Sequence, residues 1–111
     1  MNFLTRLLLS TIAVILSAYL LPGVTVDSFM TAILVSIILS ILNTIVKPIL
    51  VILTIPFTVF TLGLFLLVIN AIIILMTDWV IDGFMVDGFW YALIFSIVLA
   101  LINSLLGGKK E

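Results

Sequence analysis

Four long apolar runs separated by short polar turns organise this chain, at about residues 3–20, 29–46, 57–76 and 89–106. Arg6 is the one charge inside the first run. Each run is 18–20 residues long, the length a helix rising about 1.5 Å per residue needs to cross a hydrocarbon core of about 30 Å. A membrane β-strand would be about 10 residues long, alternating apolar with polar side chains, and no run alternates in that way. The pattern predicts an all-α integral membrane fold with four transmembrane helices.

Composition sharpens this. The chain has 111 residues, of which 66% are hydrophobic and 8% charged, with a mean hydropathy of +1.63. A soluble domain carries about 25% charged residues, so this chain has too few polar side chains to cover a surface facing water. Its length allows a single transmembrane domain, residues 1–111. Cysteine and histidine are both absent, which removes disulfides, thiolate metal sites, the commonest general base and the usual pH switch. No catalytic, cofactor-binding or metal site is predicted, and an enzyme is the least favoured class. The partners expected are the lipid bilayer and a second copy of the chain, with neither nucleic acid nor a small-molecule substrate indicated.

The charges orient the helices. Arg6, Lys47, Lys109 and Lys110 fall at one set of helix ends; Asp27, Asp78, Asp82 and Asp87 fall at the other. Cationic loops stay on the cytoplasmic side, so both termini and the central connection are expected inside and the two Asp-bearing turns outside. The first run resembles a cleavable signal peptide, with Arg6 ahead of an apolar stretch and small residues at Ser17 and Ala18.

An internal repeat argues against that reading. A shift of 60 residues aligns 18–47 with 78–107, with nine identities in thirty positions. They include Gly23/Gly83, Asp27/Asp87, Phe29/Phe89, Ser36/Ser96 and Asn43/Asn103, which shared apolar composition does not readily produce. Leu4, Leu7 and Ile12 match Leu64, Leu67 and Ile72 further back, so helix 1 corresponds to helix 3 and stays in the protein. Two helices per copy give both copies the same sense across the membrane: two parallel-duplicated helical hairpins, repeat 1 about 3–47 and repeat 2 about 63–107, related by an axis along the membrane normal. The linker 48–62 has no counterpart. It is apolar, opens on Pro48 and is interrupted by Pro56. One reading makes 49–55 a short interfacial or re-entrant helical segment, with helix 3 restarting at or after Pro56; the other makes it a continuation of helix 2.

Within this frame, Asp27 and Asp87 stand just ahead of helices 2 and 4 and are expected to cap them. If the stretches 24–26 and 84–86 meet, the two-fold relation makes them antiparallel. Tyr19, Phe29, Trp79, Phe84, Phe89, Trp90 and Tyr91 gather at the same level, as an interfacial aromatic belt does. Ala32, Ser36, Ser40 and Thr44 recur every four residues, as do Ala92, Ser96, Ala100 and Ser104. Small residues on one helix face let backbones approach closely in lipid; the seam between the repeats and a subunit interface are both open. Asn43, Asn70 and Asn103 are the intramembrane amides, expected as interhelical hydrogen-bonding groups or as the lining of a polar path.

The stretch Asn43-x3-Lys47-Pro48, through Thr54-x-Pro56 to Thr61-Leu62-Gly63 and Asn70, ending in Asp82-Gly83-Phe84, resembles the bacterial phage-holin-like four-helix membrane family (superfamily IV, YvlD-type). The resemblance covers nearly the whole chain. Many relatives carry Arg where this chain has Lys47, a departure that keeps the cation. The resemblance implies a multi-pass protein of the bacterial cytoplasmic (inner) membrane with four spans, and the holin name implies pore formation by an oligomer. It brings no catalytic motif. Three roles stand beside one another: an accessory or envelope-related membrane protein, a holin-like oligomeric pore former, and a small-solute channel.

Overall fold

The computed structural model describes residues 2–107. Its elements in chain order are α1 (Phe3–Leu20), β1 (Val24–Val26), α2 (Phe29–Leu53), α3 (Ile55–Phe60), α4 (Phe65–Val80), β2 (Phe84–Val86) and α5 (Phe89–Gly107). Three helices, α1, α2 and α5, are long and apolar enough to cross a membrane, and α4 is a shorter apolar helix of 16 residues. Because lipid offers the backbone no partners, each span has to satisfy its N–H and C=O groups internally, and helices do so along their length. Lys109, Lys110 and Glu111 lie outside the described residues.

Local chemistry sets the helix ends. Asn2 caps α1, its side chain accepting from the Thr5 N–H at 2.8 Å. Extended backbone at Leu21 and Ile81 stops α1 and α4, and their N–H groups close the last turns on the Ala18 and Thr77 carbonyls.

The centre of the chain departs from one of the two expectations. Residues 48–53 are not a separate helical piece: α2 runs through Pro48 to Leu53. Pro48 is exposed. Its missing N–H leaves the Thr44 carbonyl without its usual helical donor, while the other backbone groups keep the helix as the cheapest state in lipid. The short helix α3 then begins at Ile55 with Pro56 in its first turn, where a proline costs little. It ends in a Schellman turn. Leu62 takes the left-handed conformation (φ 57°), the Gly63 N–H reaches back to the Thr58 carbonyl at 2.8 Å, and the Leu62 N–H reaches Val59 at 3.1 Å. The third long apolar run, expected at 57–76, is therefore divided, and its longer helix is α4, beginning at Phe65.

The long helices form a ring. α1 packs on α2 and α5, and α4 packs on α5 and α2, so α2 and α5 lie across the bundle from each other. The Cα envelope is flattened, 39 × 34 × 22 Å. Val14, Val35, Ile69, Ile73 and Phe95 fill the interior and are essentially inaccessible. Three of its buried hydroxyls turn back onto their own helices, those of Thr11, Ser17 and Thr77 donating to the carbonyls of Leu7, Ala13 and Ile73 at 2.7–3.0 Å, while the buried Ser36 hydroxyl has no partner among the described residues.

At one end of the ring β1 and β2 pair antiparallel, Val24 with Val86, Thr25 with Met85 and Val26 with Phe84. Two further bonds flank them, Asp27 N–H to the Gly83 carbonyl at 3.0 Å and Asp87 N–H to the Gly23 carbonyl at 2.7 Å. This ribbon ties the α1–α2 connection to the α4–α5 connection, as the sequence anticipated should the stretches meet.

Candidate functional site

The ribbon end concentrates the polar side chains. Strand geometry carries the chain straight through Asp27, whose N–H is committed to Gly83, so α2 starts at Phe29 as expected but the capping role falls to the residue after Asp27. Ser28 is the cap: its backbone is extended (φ −162°, ψ 166°) and its hydroxyl accepts from the Thr31 N–H at 3.1 Å. Asp27, expected in that role, takes a different one. Its Oδ1 accepts from the Thr31 hydroxyl at 2.7 Å, and its carboxylate lies across Gly83, where a Cβ would come within 2.6 Å of both oxygens. Asp87 likewise does not cap α5. Gly88, at φ 94°, separates it from the helix, and the Ala92 N–H closes the first turn on the Gly88 carbonyl.

Two close packings use the ribbon glycines unequally. The Tyr91 ring covers Gly23, where a Cβ would meet it at 2.3–2.5 Å; the Asp27 carboxylate covers Gly83. Sequence reasoning passed over Ser28 and Thr31, and it took Asp78 only as an orienting charge. A serine directly before an apolar run is a helix-start signal in its own right. Asp78, opposite Ala18 in the 60-residue alignment, was visible as a charge breaking the repeat, and its Oδ2 accepts from the Val86 N–H at 2.9 Å.

The aromatic level divides. Tyr19, Phe29, Trp79 and Trp90 are exposed, as belt residues are. Phe84 instead is fully buried, its ring 5.7 Å from Phe95, because alternation along β2 turns it inward while Met85 faces out. Phe89 and Tyr91 are half-buried. A groove of about 430 Å³ runs at this level between α1, β1 and the start of α2, with Ile15, Ala18, Val24, Val26 and Phe29 among its walls.

The small-residue stripes also divide. Ala32, Ser36 and Ala92 are buried and Ser96 half-buried, whereas Ser40, Thr44, Ala100 and Ser104 are exposed. The two stripes do not meet in a common seam, since α2 and α5 stand across the ring; the buried halves pack toward α1 and α4. Of the amides, Asn43 is exposed and Asn70 and Asn103 are half-buried. Among the described residues none of the three makes a side-chain hydrogen bond within the chain. At the opposite end from the ribbon, α3 has no buried residue, and Ile55, Phe57, Val59, Phe60 and Leu62 stand exposed. In water such a surface would be an aggregation site; against lipid it is in its own solvent.

Among the described residues no group of His, Cys, Asp and Glu side chains has the arrangement of a metal site. What the arrangement defines is a multi-span α-helical membrane protein with a side-chain-filled core, an apolar girdle and a polar end closed by a two-stranded ribbon. Residues 1–105 match the family described as mycobacterial 4 TMS phage holin, superfamily IV, and the chain belongs to that family. Among its relatives is the uncharacterized membrane protein YvlD of Bacillus subtilis, 43% identical over 94 residues that cover 84% of this chain and 78% of the relative. An uncharacterized protein of Streptomyces coelicolor is 35% identical over 112 residues, covering 92% of this chain and 90% of the relative. No solved structure matches the chain.

Proposed function

We propose that this protein is a packed four-span unit of the bacterial cytoplasmic membrane, with an accessory or envelope-related role exercised through its outer surfaces and not through a passage down its own centre. The observation that carries this is the filled interior. Val14, Val35, Ile69, Ile73 and Phe95 are at most 1–2% exposed, and the hydroxyls of Thr11, Ser17 and Thr77 bond to their own helices, while the buried Ser36 hydroxyl has no partner among the described residues. A solute path needs polar groups directed at the solute, whereas the side chains that fill this centre are mainly apolar.

The duplicated-hairpin architecture belongs to the same reading. Burial repeats at the 60-residue shift: Val14 and Ile74, Ala32 and Ala92, Val35 and Phe95, and Leu39 and Leu99 are buried in both copies. Ser17 and Thr77 make the same bond to the carbonyl four residues back. The ribbon register is symmetric about the Thr25–Met85 pair, and its two flanking bonds exchange under the shift. These are what an axis along the membrane normal requires, and with the charge bias they support termini and α3 on the cytoplasmic side and the ribbon outside.

A second reading, an oligomeric holin-like pore, is favoured by one observation: Ser40, Thr44, Ala100 and Ser104 face outward, with the small side chains that let helices of different copies approach. Reconstitution at graded protein density separates the two. Vesicles holding a potassium diffusion potential keep it at every density if the protein is accessory. Leak that rises with density and disappears in a Ser40→Leu, Ala100→Leu double variant establishes the pore, and leak already present at one chain per vesicle refutes the packed-core argument.

A further inference from the structure

The two halves of the ribbon end differ at one backbone group. The Asp27–Gly83 and Gly23–Asp87 bonds fix Val24↔Val86 and Val26↔Phe84 as the pairs whose own N–H and C=O groups turn away from the partner strand. Four N–H groups therefore need outside acceptors. Val24 and Phe84 find the Leu21 and Ile81 carbonyls, at 3.1 and 3.5 Å, and Val86 finds the Asp78 carboxylate at 2.9 Å. Val26 has Ala18 where Val86 has Asp78, and among the described residues nothing accepts from its N–H. The 430 Å³ groove lies at this point, with Ala18 and Val26 both in its wall. The groove thus has the place, and an N–H donor, that the second half fills with its own carboxylate.

A backbone N–H beside hydrocarbon takes an acceptor from whatever borders it. Of the remaining walls, Ile15, Val24 and Phe29 are apolar, while Tyr19, Thr25 and Ser28 bring hydroxyl-bearing side chains to the same groove, the mixture found at a membrane interface. An anion is disfavoured there, since Asp27, Asp78, Asp82 and Asp87 share that end of the molecule. A neutral acceptor attached to an acyl chain suits both the charge and the walls. We propose that the groove is a phospholipid site in which an ester carbonyl oxygen accepts the Val26 N–H and the start of the acyl chain lies along Ile15 and Phe29. Rebuilding the Asp78 contact in the first half, by Ala18→Asp, would displace that lipid.

The inference rests on the membrane setting alone and is independent of whether the chain conducts. Its test is the amide resonance of Val26 in the full chain, held in a maltoside micelle and titrated in separate arms with a short-chain diester phosphatidylcholine, its diether analogue and inorganic phosphate. The expected result is a saturable downfield shift of the Val26 amide proton with the diester only. The Val86 amide stays still in the same titration. Ala18→Asp should abolish the Val26 response, and Asp78→Ala should give the Val86 amide a diester-dependent shift of its own. The second variant keeps the proposal falsifiable if the first does not fold. Equal shifts with diester and diether, a response to phosphate, or a Val26 resonance indifferent to all three (the behaviour of an amide bonded to water) would each overturn it.

Discussion

Replacing Gly83 by alanine should destabilise the protein by about 2–4 kcal/mol, from two separable terms. Gly83 has φ 94°, and an L-residue held in left-handed backbone costs about 1–2 kcal/mol. The second term is steric. The new Cβ would lie 2.6 Å from both Asp27 carboxylate oxygens, well inside an ordinary contact of about 3.5–4.0 Å, so the carboxylate has to swing away and release the Thr31 hydroxyl. A hydrogen bond to a charged group is worth about 1.5–3 kcal/mol. Because Asp27 is exposed, water makes up part of the loss, and about 1–2 kcal/mol is appropriate.

Gly88 supplies the control. It has the same φ, 94°, with no atom within 4 Å of a built Cβ, so Gly88→Ala should show the backbone term alone. The difference between the two variants then measures the carboxylate contact. Asp27→Ala completes a double-mutant cycle: it should cost about 1 kcal/mol beside Gly83 and nothing beside Ala, a non-additivity expected where two side chains compete for one space. Trp79 and Trp90 stand exposed near this end, so their fluorescence can follow reversible unfolding in mixed micelles. Equal destabilisation by the two glycine variants, or strict additivity with Asp27→Ala, would refute the assignment.

Ser28→Ala should cost about 1 kcal/mol, the usual loss for an N-cap, while Ser28→Asp restores it; micelle unfolding midpoints compare the two. Leu62→Gly should stabilise by about 1 kcal/mol, since Leu62 occupies a left-handed C′ position that glycine takes without penalty; a loss of stability would mean that its exposed side chain anchors α3 in lipid. Single cysteines are informative because the chain has none of its own. In intact cells an impermeant thiol reagent should label Thr25→Cys and spare Leu64→Cys, and the reverse pattern would invert the topology.

Much of this architecture can be read from the residues because lipid imposes simple rules. Span length and the turns around Gly23 and Gly83 follow from where apolar runs stop, and antiparallel pairing follows from the match of 24–26 with 84–86. The failures are of other kinds. Pro48 suggested an interruption, yet a lipid-facing proline costs one backbone bond, less than exposing several backbone groups to hydrocarbon, and α2 continues. Asp27 and Ser28 are both good caps, and what selects Ser28 is the commitment of the Asp27 N–H to Gly83, a contact 56 residues distant in the chain. Phe84 reads as a belt residue by position; only strand alternation turns it onto Phe95. The fourfold stripes were legible as stripes, but their division into buried and exposed halves depends on where neighbouring helices lie.

That division fits a wider asymmetry. Every buried residue of α2 lies at or before Leu39, every buried residue of α1 at or after Thr11, and those of α4 and α5 lie from Ile69 and up to Leu99 respectively. The core therefore belongs to the ribbon half of the bundle. The half toward α3 contributes none of the buried residues among those described. That half is held by half-buried apolar residues, Leu42, Val46, Leu50, Phe65, Leu66 and Ile102 among them, and local opening is cheapest where burial is least, so it is the half that another copy would meet while the ribbon and the core around Phe84 and Phe95 stay closed. The exposed members of both stripes, Ser40 and Thr44 on α2 and Ala100 and Ser104 on α5, lie in that half. Association through them would add helix contacts without dismantling the monomer, so a compact single chain and a family named for holins are physically compatible.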